Sequence, residues 1–200
     1  MASNFQPGVL NNIWATRNAL ALMGEGNQET YTVAASTTIY AGDIVALNSS
    51  GQLVQALALP GSNNSVTASG GTVVTLGVAL QSITTNASGI DTTGPFNIST
   101  IPVAIWDANT QYLFRTYDAT AANTTLANLK QGKQYQFGRY RGASATSWWY
   151  VMILTQTNGE FFYVEPFGNS EAVPGANDQL TTDQYAAVWT QATAAYRAVN

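Results

Sequence analysis

A chain of 200 residues with a net charge of −4, no Cys and no His excludes disulfide stapling, thiol chemistry and the side chain most often used as general base and metal ligand. Charged residues make up only 9% of it, against roughly a quarter in an ordinary soluble protein, so its polar surface rests on Ser, Thr, Asn and Gln. The acidic balance speaks against nucleic-acid binding, and no window reaches the roughly 20 apolar residues of a membrane-spanning helix.

Residues 1–29 read as an N-terminal arm. Met1-Ala2-Ser3-Asn4 has no basic region and 19–23 is too short for a signal core, so synthesis in a cytoplasm is expected. Asn4-Phe5-Gln6-Pro7-Gly8 is extended and then turns, because Pro7 fixes its own φ and biases Gln6 away from helix. Ile13, Trp14, Arg17, Leu20 and Ala21 recur at helical spacing, which predicts a short helix over 12–23 stopped by Gly24. Phe5, Leu10 and Trp14 are the candidate anchors by which the arm covers its own sheet or reaches onto a neighbour.

Residues 30–106 read as a β domain. Strands are expected at 31–35 and 38–40, then at 44–47 and 52–57 as a hairpin around Asn48-Ser49-Ser50-Gly51. The small residues of 60–71 read as a loop too polar for the core. Within 72–83, Val73, Val74, Leu76, Val78 and Leu80 suit a strand buried on both faces, with Gly77 marking a bulge or a close backbone approach. After a loop at 84–94 and weak pairing at 96–98, a strand over 101–106 carries Pro102, which places its start at a sheet edge.

Residues 107–180 read as a second β lobe or an elaboration of the same domain, with strands at 111–117, 134–140 and 148–155. Asn158-Gly159 then turns the chain into 161–164, the clearest hairpin signal in the sequence. Over 181–200, Thr181 and Gln184 make a capping box, and Tyr185, Val188, Trp189, Ala192 and Tyr196 follow helical spacing. An amphipathic helix over 182–198 is expected, packed on its own sheet or on a neighbour. The chain is thus predicted to be mainly β, a small antiparallel β-barrel or sandwich with an extended N-terminal arm and a C-terminal α-helix.

Chemistry-bearing patterns are weak. A Ser-Lys pair through Lys130 or Lys133 has no frame around it, and the odd separation of Glu160 and Glu165 puts them on opposite faces of a strand. Asp91, Asp107 and Asp118 are isolated, so no metal is expected. Gly24-Glu25-Gly26 and Gly70-Gly71 lack the helix and Lys of a phosphate loop. No cofactor and no enzymatic activity are expected. Arg115, Lys130, Lys133, Arg139 and Arg141 precede the acidic Glu160, Glu165, Glu171, Asp178 and Asp183; this asymmetry either pairs one copy with the next or marks a solvated loop. Trp148, Trp149 and Tyr150 open the most apolar run. Adjacent strand residues face opposite ways, so at most one of Trp148 and Trp149 shares the core face, and the other is a candidate contact or sugar platform. Phe5, Leu10, Trp14, Trp148, Trp149, Trp189 and Tyr196 are the candidate interface residues.

Ala41-Gly42-Asp43-Ile44-Val45-Ala46-Leu47, Ser50-Gly51-Gln52-Leu53-Val54-Gln55-Ala56 and Leu76-Gly77-Val78-Ala79-Leu80, after the N-terminal Asn4-Phe5-Gln6-Pro7-Gly8, follow one another in an order that resembles the small β domains of tailed-bacteriophage capsid decoration, or cement, proteins. The resemblance covers roughly the first half of the chain. It implies a virion protein on the outer capsid surface that binds the major capsid protein and stabilises contacts between its subunits, as a homo-oligomer, commonly a trimer and in some versions a dimer or monomer. The alternatives are a β-rich fibre or carbohydrate-binding module of a virion or secreted protein, and a capsid or tail-tube subunit.

Overall fold

The structure, a computed structural model, describes residues 16–18, 28–95, 97–106, 110–117, 129–141, 148–166 and 187–193. It is mainly β, with sheets that curl into a half-barrel and no helix among the described residues. In chain order the strands are β1 (Thr16–Asn18), β2 (Gln28–Thr32), β3 (Thr38–Ile39), β4 (Ile44–Leu47), β5 (Leu53–Gln55), β6 (Ser65–Ala68) and β7 (Gly77–Ala79). Then come β8 (Ile83–Thr84), β9 (Thr100–Ile105), β10 (Thr110–Tyr117), β11 (Gln134–Arg141), β12 (Trp148–Thr157), β13 (Phe161–Pro166) and β14 (Ala187–Ala192).

The first sheet runs β2-β9-β7-β4-β5, antiparallel throughout. Val33 bridges Leu53, and Ala34 N–H donates to the Leu53 carbonyl at 3.0 Å, which draws the end of β2 round toward β5. Alternation along β9 turns Ile101, Val103 and Ile105 into this curl, where they meet Val33, Ile39, Val45, Leu53, Leu76 and Ile83. The expected hairpin is β4–β5, and the strand predicted around Gly77 is β7. It is buried on both faces, Val78 entering one core and Ala79 the other.

The second sheet pairs β10 with β12, β12 with β11, β11 with β13, β13 with β14 and β14 with β10, so its pairings run in a circuit. β1 adds to β10 and β6 adds to β11. Between the two sheets lies an aromatic core. Phe161 stands 5.3 Å from Trp106, 4.6 Å from Phe114 and 5.6 Å from Phe137 between ring centroids, in tilted and edge-on arrangements that suit ring quadrupoles. Ile44, Leu57 and Val78 from the first sheet's side pack into the same cluster. Described residues from both 30–106 and 107–180 therefore pack into one cluster.

Several expectations are corrected. Residues 187–192, expected in a helix, form β14: Val188, Trp189 and Thr190 are strand formers, and β10 and β13 offer partners on both edges. Residues 16–18, also expected to be helical, pair with 110–112. The rest of both expected helices and the anchors Phe5, Leu10 and Trp14 lie outside the described residues. The sheets are not purely antiparallel, since β10 and β12 run parallel. The polar loop 60–71 contains β6. Pro102 sits in β9 between β2 and β7, not at an edge. Its carbonyl accepts from Leu80 N–H just beyond the end of β7, so its missing N–H faces a place where the ladder stops.

Asn158-Gly159 does not close a hairpin. β11 lies between β12 and β13. Asn158, at φ 62°, turns the chain across the start of β11, and Gly159 rests on the Tyr135–Gln136 backbone. The β11–β12 register shifts between Tyr135 and Gln136 at this crossing.

Candidate functional site

The densest cluster of polar and aromatic groups joins the two sheets. Asp43 ends the turn before β4, where backbone bonds from Gly42 to Ala79 and from Asp43 to Tyr40 fix it. Arg139 comes from the middle of β11. Both side chains are buried, and Arg139 Nη2 lies 3.4 Å from Asp43 Oδ1. Asp43 Oδ2 accepts from Tyr40 N–H at 2.8 Å and from Gln55 Nε2 at 2.9 Å. Arg139 Nη1 donates to the Leu57 carbonyl at 3.1 Å. Its guanidinium stacks 3.9 Å over the Trp148 ring and 5.7 Å from that of Tyr150, a cation–π arrangement strengthened by dryness. Tyr150 donates its hydroxyl to the Ile44 carbonyl at 3.4 Å.

Burial pushes the Asp43 carboxyl above the ordinary carboxylate value, and the Arg139 charge and the hydrogen bonds only partly offset this. The Tyr150 hydroxyl is raised well above its usual range by burial and by the neighbouring Asp43 charge. Both groups are buried, and with Arg139 they join β4 and its preceding turn to β11 and β12, which makes the cluster a clamp between the sheets. Asp43 and Arg139 are far apart in sequence, and nothing local to either announces the pair.

A second carboxylate, Asp91, organises the loop after β8. Its Oδ1 accepts from Thr93 N–H at 2.9 Å and Thr93 Oγ1 at 2.7 Å, and its Oδ2 from Gly94 N–H at 3.1 Å. These bonds hold its pKa below the ordinary value. A depressed acid contributes stability above its ordinary value and loses it as pH falls toward the folded one. Asp43, shifted the other way, favours the fold progressively more as pH falls through its raised value. Replacing Asp91 with Asn is therefore expected to flatten the loss of melting temperature between neutral pH and pH of about 3. An unchanged acid limb in that variant assigns the loss to other carboxylates.

Trp148 is the core-facing member of its pair. It is buried, and its ring lies 6.1 Å from Tyr150 and 5.5 Å from Tyr40. Within the single chain its ring is therefore occupied by Arg139, Tyr150 and Tyr40. The sugar-platform reading likewise loses Trp148 and Tyr150. Trp149 pairs with Tyr140, and Trp189 with Leu113 and Glu165, in the strand registers; Tyr196 lies outside the described residues. The basic run of 115–141 is not an exposed strip either, since Arg115 and Arg139 are buried and Arg141 Nη1 is bonded to the Pro60 and Gly61 carbonyls. Among the described residues no group of His, Cys, Asp and Glu is arranged to hold a metal ion, and no helix is long and apolar enough to cross a membrane. Compared with known families, with curated proteins and with solved structures, the chain has no significant match.

Proposed function

We propose that this chain is a structural, non-enzymatic virion protein that sits on the outer capsid surface as a homo-oligomer and stabilises contacts between major capsid protein subunits. The observation that carries the reading is where the charge lies. Asp43, Asp91, Glu160, Arg115 and Arg139 are buried, and the exposed charges among the described side chains are Glu29, Lys130 and Lys133. Among the described residues the exterior is dominated by neutral Thr, Ser, Asn and Gly, and such a surface repels its own copies weakly and has few charges to desolvate when it is covered. That suits a protein covered by neighbours better than one diffusing alone.

The capsid enters through the resemblance of residues 41–47, 50–56 and 76–80 to decoration proteins. Those segments hold β4, β5 and β7, a scaffold with no accessible chemistry, as a cement role requires. At about 25 cal/mol per Å² of apolar area, even small contacts count when repeated over a shell. Particles purified from the source that encodes this chain are expected to carry it on the outer surface at fixed stoichiometry in a reconstruction. Shells from which it is missing overturn the reading.

A further inference from the structure

Glu160 follows the crossing at Gly159 and is 1% exposed. Its Oε2 accepts from the Ser69 hydroxyl at 2.7 Å and from Phe137 N–H at 3.4 Å. Its Oε1 has no hydrogen-bond partner, and neither does the hydroxyl of Thr193, which is 3% exposed. These two residues adjoin, since Thr193 N–H donates to the Glu160 carbonyl at 2.8 Å. The Arg139 guanidinium is committed to Asp43, and no ion pair to Glu160 is present among the described residues.

Buried charges persist in proteins by being paired or by coordinating a metal ion. The groups gathered at Glu160 are hard oxygens. Ser69 donates its proton to the carboxylate and accepts from Gly71 N–H at 3.4 Å, which leaves its oxygen one lone pair. Such donors suit alkali and alkaline-earth ions and not soft metals. One carboxylate supplies one negative charge. A monovalent ion leaves the site neutral, whereas a divalent ion leaves a buried excess of positive charge. A water molecule satisfies the stranded oxygens but brings no charge.

The geometry points to a monovalent cation site, for sodium or potassium, at Glu160 Oε1 and Thr193 Oγ1. Ser69 follows β6, Phe137 lies in β11, Glu160 precedes β13 and Thr193 follows β14, so a bound ion ties four strands together at one end of the second sheet. This inference does not depend on the capsid reading. It is tested by thermal unfolding of the full chain in sodium, potassium, calcium and choline chloride at matched ionic strength. The melting temperature is expected to rise by several degrees, saturably, in sodium or potassium relative to choline, as binding to the folded state alone requires. Glu160→Gln and Thr193→Val are each expected to abolish that difference, and the second keeps the test open if the first does not fold. Equal melting temperatures of the unaltered chain in sodium, potassium and choline overturn the site, as does a salt preference that survives both substitutions. Stabilisation by calcium alone overturns the monovalent assignment.

Discussion

Asp43→Asn or Arg139→Met is expected to destabilise the chain by about 3–5 kcal/mol, because each leaves the other partner stranded in a dry interior. That is a large part of the roughly 5–15 kcal/mol by which a domain is stable, and the urea midpoint reports it directly if the slope is unchanged. Arg139 is the more exposed to this loss. Its Nε already lacks a partner, and its remaining contacts are the Leu57 carbonyl and the Trp148 and Tyr150 rings. The double variant Asp43→Leu with Arg139→Met is expected to cost much less than the sum of the single changes, since a packed apolar pair carries no desolvation penalty. Single substitutions that cost under about 1 kcal/mol, the level of an exposed ion pair, show that the pair does not clamp the sheets.

The second large effect is expected at two glycines. A Cβ at position 159 stands 2.1 Å from Gln136 N and 2.2 Å from the Tyr135 carbonyl, and one at position 77 stands 2.0 Å from the Ala104 carbonyl oxygen. In both places the obstacle is backbone, which cannot rotate aside as a side chain can. Gly159→Ala and Gly77→Ala are each expected to cost above about 3 kcal/mol, beyond the usual range for overpacking. Gly61→Ala, with nothing within 4 Å, is the control and is expected to stay within about 0.5 kcal/mol. Circular dichroism melts of the three variants decide the matter. A Gly159→Ala protein that melts with the control removes the crossing over β11 from the fold.

These two features mark the limits of what the sequence discloses. Ile44–Leu47 and Leu53–Gln55 are legible because their pairing is local and Asn48 to Gly51 supply the turn. Gly77 is legible as a bulge or a close approach because glycine inside an apolar run has few other uses, and the Ala104 backbone decides for the second. Asn158-Gly159 is legible as a bend, but not its destination, since turn chemistry says that the chain changes direction and not which strand it crosses. β6 stays hidden among small polar residues because its stability comes from distant pairing with β11. β14 reads as helix because Tyr185, Val188, Trp189 and Ala192 fit the helical period and do not alternate, and only the edges of β10 and β13 make the segment a strand. The clamp and the Glu160 site have no motif. Their one trace is the scarcity of charge, which makes each acid and base that is present worth explaining.

The circuit of pairings has a consequence of its own. A protein with so few surface charges has little colloidal protection, and at high local concentration it is prone to aggregate through any open strand edge. In this chain β10, β12, β11, β13 and β14 each take partners on two sides, which removes the five longest strands of that sheet as templates on which a foreign strand could grow. Backbone closure of this kind confines association between copies to side-chain contacts along that sheet, a protection against strand-to-strand growth that does not depend on charge.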